Sequence, residues 1–437
     1  MANKLRRGAL GVVYIAVLGA LGYTALVKYD EHKSYPQTLK PETGAALPEQ
    51  IKRGEYVARL SDCTACHTAQ GGKPFAGGYR LETPFGSIFS SNITPDKETG
   101  IGNWTQEQFD RAVRHGIGSH GHMYAAMPYN AYAKLTDQDL TDLWAYVRTI
   151  PAVKNSVVEN QLPFPFNQRW TLAGWNLLFF KDQIFKPTTS NSDEINRGQY
   201  LVEGPGHCAS CHTAKNFLGG DSSAYLQGGQ LEGWHAPDLT QNPHTGLGSW
   251  SKDDVVTYLR TGTNRMGAAS GPMSEAVENS TQYMSASDLQ AIASYLHTLP
   301  ASPVTKPSPV SARDNAMIVG KKVFESQCQA CHVSDGSGIR NMIPTLANNP
   351  QINADDTSSL LNVVLKGSQG PFTHANPTSA GMPDFAWKLS DDNIADVMTY
   401  IRNSWGNAAP PVSADTVTQA RKELKAKPWM GEARDKQ

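Results

Sequence analysis

Three stretches of this 437-residue chain carry one five-residue pattern: Cys63-Thr64-Ala65-Cys66-His67, Cys208-Ala209-Ser210-Cys211-His212 and Cys328-Gln329-Ala330-Cys331-His332. C-x-x-C-H is the attachment signal for c-type haem. Two thiols add across the porphyrin vinyl groups as thioethers, and the next residue offers an imidazole nitrogen to iron. The two intervening residues let both sulfurs reach one edge of the ring while the His turns beneath it. A zinc site or a thioredoxin-like pair also uses C-x-x-C. Neither needs a His directly after the second Cys, three times over. All six cysteines are consumed by the motifs, so none is left for a disulfide. The expectation is three covalent haem c groups on Cys63, Cys66, Cys208, Cys211, Cys328 and Cys331, with His67, His212 and His332 on the irons.

Elements that position these residues repeat with the motifs. Each motif follows a short helix: Gly54-Glu55-Tyr56-Val57, Gly198-Gln199-Tyr200-Leu201 and Gly320-Lys321-Lys322-Val323. Each module closes with a helix that has a polar start and an apolar stripe. These run from Leu135-Thr136-Asp137 to Ile150, Met284-Ser285-Ala286 to Leu299, and Leu389-Ser390-Asp391 to Ile401. Aligned without gaps, they bring Tyr146, Tyr295 and Tyr400 to one position. A Gly in the opening helix lets this aromatic helix cross closely, since no side chain stands between them. Such a crossing resembles the class I cytochrome c fold. The fold read from the sequence is therefore mainly α: three class I cytochrome c domains after an N-terminal transmembrane helix. The boundaries are an anchor or signal peptide at 8–27, domains at 44–152, 191–302 and 311–410, an apolar connector at 153–190 and a polar tail at 411–437.

Length agrees, because 437 residues predict about three domains. Charged residues are only 18 % and the formal charge is −1, so nothing offers the basic patch a nucleic-acid partner needs. No dinucleotide fingerprint, H-E-x-x-H or nucleophile elbow stands out. Haem c is attached outside the cytoplasm, which places the three domains on the periplasmic side.

The N-terminus carries Lys4, Arg6 and Arg7 before an uncharged stretch, Gly8 to Val27. As a helix, such a stretch of about 20 residues spans about 30 Å, and the basic flank orients the rest outward. The expectation is an anchor in the inner membrane; a cleaved signal peptide is the alternative. Leu162–Phe185, with Trp170, Trp175, Phe179 and Phe180, is too apolar for a linker. It reads as a buried connector or as a contact with a partner, a membrane surface or a quinone. Pro300 to Pro309 reads as a stiff spacer, and Ser413–Lys425 as a peripheral helix.

A Met sulfur opposite the His raises a haem potential. Met127, Met273 and Met382 lie 60, 61 and 50 residues after His67, His212 and His332, each just before a closing helix. They are the expected sixth ligands; Met123, Met342, His120 and His122 compete, the two histidines reading as surface groups. Pro237-Asp238-Leu239 and Pro344-Thr345-Leu346 match a segment that accepts a hydrogen bond from the iron-bound His. Module one has Ser91-Asn92-Ile93 instead. Arg114, Arg260 and Lys366 are candidates to pair haem propionates.

With these features in place, the chain resembles the cytochrome c subunits of membrane-bound alcohol, fructose, gluconate and aldehyde dehydrogenases of the acetic-acid-bacterium type. The resemblance covers about residues 50–410. Its marks are Ser91-Asn92-Ile93-Thr94-Pro95, Ala126-Met127-Pro128-Tyr129, Gly271-Pro272-Met273 and Tyr400-Ile401-Arg402-Asn403-Ser404-Trp405-Gly406-Asn407. It implies a triheme subunit that oxidises no organic substrate itself. Such a subunit takes electrons from a catalytic dehydrogenase subunit, with a small additional subunit as a further partner, and passes them to ubiquinone in the membrane. The retained N-terminal helix leans toward the aldehyde type, whose catalytic subunit resembles molybdenum hydroxylases. A free-standing electron carrier to a terminal oxidase is the alternative, and a haem enzyme with an open iron a further one.

Overall fold

The structure, a computed structural model, describes residues 2–35 and 39–426. It is mainly helical. Among the described residues, strands occur only as short antiparallel pairs: Arg80–Thr83 with Gly86–Phe89, Ile117–Gly118 with Gly121–His122, Gly229–Leu231 with Trp234–Ala236, and Ser368–Gln369 with Gly381–Met382. The chain divides into two compact units, Met1–Gly54 with Arg80–Phe185 and Glu55–Tyr79 with Lys186–Gln437.

In the first unit the closing helix Asp137–Val147 starts where its sequence asks, with the Thr136 side chain accepting from Asp139 N. The helix Gln106–His115 begins with a reciprocal box between Thr105 and Gln108 and stops at Gly116, whose φ of 66° is open to glycine. Gly54 passes so close to the closing helix that a Cβ there would lie 1.9 Å from Asp142 O. Arg53 and Gln50 tie the same crossing through the buried Asp142 carboxylate, at 2.8 and 2.9 Å.

The N-terminal helix runs from Ala2 to His32. Reading Gly8–Val27 as a transmembrane helix is corrected: among the described residues, no helix is long and apolar enough to cross a membrane. The C-terminal part of the N-terminal helix is instead engaged by protein. Tyr23 Oη donates to Trp170 O at 2.6 Å and accepts from Gly174 N at 2.9 Å, and Arg111 Nη1 donates to Glu31 O at 3.1 Å. The connector is neither wholly buried nor wholly free. It folds into a helix, Thr171–Phe179, with Ala173 buried and Trp170, Leu177 and Leu178 exposed at 52, 64 and 69 %.

In the second unit the glycine crossings recur. A Cβ on Gly198 would lie 1.9 Å from Ala291 O, and one on Gly320 2.1 Å from Asp396 O. The closing helices Ala286–Leu296 and Asp391–Ile401 are capped by Ser285 and Ser390. Modules two and three meet through Asn349 Nδ2 to Met266 O at 2.9 Å, His235 N to Ser359 Oγ at 2.8 Å and Asn362 Nδ2 to Gly233 O at 3.0 Å. The proline-rich stretch is not a bare spacer. Buried Ser302 ties it to module two through Thr240, Asp238 and Asn242. The C-terminal helix Ala414–Ala426 lies against the third module through one buried residue, Val417, which packs in a core with Leu361, Ile394 and Met398.

Candidate haem sites

Each C-x-x-C-H lies in a single helical turn directly after its opening helix: Cys63–His67, Ala209–His212 and Gln329–His332. His212 N donates to Cys208 O at 2.9 Å and His332 N to Cys328 O at 3.0 Å, the bond spacing of an α-turn. Positions i, i+3 and i+4 of such a turn share one face. The two thiols and the imidazole of each motif therefore leave the backbone on the same side. Asp62 and His207, just before the first two motifs, take positive φ of 49° and 37° that turn the chain into them. No two of the six cysteines are joined in a disulfide.

The methionines stand where loops approach the closing helices. Met127 lies between the Ile117–His122 hairpin and the closing helix of module one, its N bonded to Tyr124 O at 3.2 Å. Cys63, Cys66 and His67 belong to the second compact unit, Met127 to the first. Met273 is the second residue of the helix Pro272–Asn279 and packs beside buried Tyr258, Ala269 and Val277. Met382 is half-buried in the strand paired to Ser368.

One reading of a side chain is corrected. His122 is 1 % exposed, not a surface group; its Nδ1 lies 3.4 Å from Asn176 Nδ2, and its Nε2 has no hydrogen-bond partner. The tight Gly118–Gly121 turn carries it inward while His120 stays exposed. Arg114 Nη1 donates to Asp137 Oδ1 at 2.9 Å and Nη2 to Leu135 O at 2.8 Å, while its buried Nε has no hydrogen-bond partner.

The chain matches the cytochrome c family over residues 51–151, 195–300 and 318–405, more than half its length. It is 43 % identical over 395 residues to the cytochrome c subunit of the quinone alcohol dehydrogenase of Gluconobacter oxydans, covering 85 % of this chain and 82 % of that one. To the gluconate 2-dehydrogenase cytochrome c subunit of Pantoea cypripedii it is 40 % identical, covering 88 % and 92 %. To the fructose dehydrogenase cytochrome subunit of Gluconobacter japonicus it is 38 % identical, covering 93 % and 90 %. The chain belongs to the cytochrome c family, among the dehydrogenase cytochrome c subunits.

For a cytochrome c of this group the donor chemistry around the motifs fits a covalent haem. In module two, His212 Nδ1 donates to Pro237 O at 2.7 Å, as the Pro-x-Leu pattern predicts. That bond puts the ring proton on Nδ1 and leaves the Nε2 lone pair free for a metal. Burial lowers the His212 pKa against the opposing Pro237 bond, which keeps the ring neutral. In module three the Pro344 carbonyl acts on His332 in the same sense, while burial again lowers the pKa. Nδ1 of His332 nevertheless makes no hydrogen bond of normal geometry. Cys66 is open on one side, yet the protein around it, like that around Cys63 and Cys208, pushes the thiol up to about 12. For Cys211 and Cys328 burial gives about 11. Such low-polarity walls suit an apolar macrocycle bonded through neutral thioethers.

Proposed function

We propose that this cytochrome is the triheme electron-transfer subunit of a quinone-dependent dehydrogenase, working at the periplasmic face of the inner membrane. Its haem groups are bonded by Cys63 and Cys66, Cys208 and Cys211, and Cys328 and Cys331. His67, His212 and His332 are the proximal ligands, and Met127, Met273 and Met382 the distal ones. Each haem c supplies a one-electron iron couple, which a Met sulfur holds at high potential. The chain's own residues carry the attachment thiols and, at His212, orient the imidazole. The observation that carries this reading is the threefold C-x-x-C-H frame inside a match spanning most of three dehydrogenase subunits.

Electrons enter from a catalytic subunit, and ubiquinone is the acceptor. The exposed apolar surface at Phe164, Trp170, Leu177 and Leu178 supports a lipid-soluble acceptor, because an isolated soluble domain gains nothing by presenting it. The ground for preferring an aldehyde-oxidising partner was a retained membrane helix, and it falls with that helix. Alcohol, gluconate, fructose and nicotinate dehydrogenases, named by the relatives, are the candidate partner classes.

Purification of the full chain in mild detergent tests this. It should bring down a large dehydrogenase subunit, and the complex should reduce a short-chain ubiquinone when given an alcohol, sugar or sugar acid. A chain that isolates alone and passes electrons only to a terminal oxidase would be a free-standing carrier. A reduced chain that binds carbon monoxide at one centre without mutation would be the open-iron enzyme.

A further inference from the structure

The segment that carries the first attachment motif, Glu55–Tyr79, falls in one compact unit with modules two and three. Tyr56 leaves the opening helix of module one and donates to Asp288 Oδ2 at 2.7 Å. The same hydroxyl accepts from Ser285 N at 2.9 Å, so it grips the start of the closing helix of module two twice. Arg197 holds Asp288 from the other side as a fork, Nε to Oδ1 and Nη2 to Oδ2, both at 2.8 Å. Asp288 is 6 % exposed. A charge-assisted, bidentate carboxylate is the strongest class of side-chain tie.

The contacts continue up to the motifs. The Arg59 guanidinium lies 4.3 Å above the Tyr283 ring. The His207 ring bonds to the Ser61 backbone, which joins the residues just before the two motifs. Ser280 Oγ donates to Leu60 O at 3.5 Å, a further tie just before the first motif.

We infer that Tyr56, Asp288 and Arg197 are positioning residues for electron transfer: they clamp the first attachment motif onto the second, so that the first two haem groups exchange electrons directly. The inference rests on the reading of the motifs as haem sites. In each exchange one electron moves, one iron is oxidised as the other is reduced, and no proton or co-reactant is consumed. Electron tunnelling falls steeply with separation, so a segment free to rock would spend much of its time out of range. Positioning of this kind works by removing motions before the reaction.

The test uses the full chain, with haem counted by mass and by the pyridine haemochrome. A count other than three in the unaltered protein breaks the haem reading itself. With three haems present, Tyr56→Phe should slow electron equilibration between the first two centres after flash reduction, by about tenfold. Amide exchange across 55–79 should rise in parallel, and the potential of the third centre should stay put. Arg197→Lys keeps the charge but loses the fork, and should give a smaller change of the same sign; it also serves if Tyr56→Phe folds poorly. Faster amide exchange with unchanged electron equilibration in both variants would overturn the proposal, because the clamp would then be structural only.

Discussion

Modules two and three grip the start of their closing helices in the same way, with donors of different origin. In module two, Asp288 is held by Arg197 and by Tyr56. In module three, Asp391 is held by Arg421 and Thr418 from the C-terminal helix. Arg421 also caps the carbonyls of Ala386 and Leu389. Module three is thus completed by its own tail, whereas module two borrows a segment from the chain before it. A carboxylate at a helix start favours the dipole there, but it is stable when half-buried only if donors surround it. Any nearby element that carries an Arg and a hydroxyl can supply them.

The comparison breaks most sharply at the glycine crossings. Gly198→Ala and Gly320→Ala each drive a Cβ to within about 2 Å of a backbone carbonyl. Each should cost about 3 kcal/mol or more, read as loss of one thermal transition. If one is tolerated within about 1 kcal/mol, that module's helices do not cross as tightly as the other's.

Next come the distal sulfurs. Met273→Ala and Met382→Ala should each keep all haem covalently attached, open one centre to carbon monoxide, and lower one potential by on the order of 100 mV or more. A variant that leaves all three potentials in place would show that its Met is not a ligand. A related contrast removes attachment: Cys208→Ala with Cys211→Ala should leave two haems by mass. Loss of the first haem as well would show how far the 55–79 segment depends on module two.

A smaller effect separates the two grips. Arg421→Ala leaves the partly buried Asp391 without its ion pair and should destabilise module three by about 2 kcal/mol, with module two unmoved. Calorimetry that resolves the two transitions checks it.

The smallest effect is acid sensitivity. Burial alone would raise the Asp288 pKa, but the Arg197 and Tyr56 hydrogen bonds outweigh it and hold the carboxyl below its usual value. A depressed folded pKa gives stability that is complete above the unfolded value of about 3.9 and is lost as pH falls through the folded one. Amide exchange across 55–79 should therefore stay flat down to about pH 4 and rise only below it. A rise that begins near neutral pH would point to a group other than Asp288.

Much of this was legible in the chain. Spacing alone revealed the C-x-x-C-H turns, and the caps at Thr136, Ser285 and Ser390 marked the closing helices within a residue or two of where they begin. Gly54, Gly198 and Gly320 declared the close crossings, because only a missing side chain permits them. Pro237 announced the carbonyl beneath His212. At Pro344 the same pattern sets a carbonyl that acts on His332, but without a hydrogen bond of normal geometry.

What the sequence by itself determined was local: which residues turn into short helices, which face of each is apolar, and which side chains share a turn. Those properties depend on neighbours within about four positions. What only the tertiary structure decided was partnership. It bonded Tyr56 to Asp288, buried His122, tied Ser302 to Asp238, drew Val417 into a core, and engaged the end of the N-terminal helix with Trp170 and Gly174. Each of these pairs residues far apart in the chain. Their energy comes from surfaces that meet only after the chain has folded, so local periodicity cannot report it.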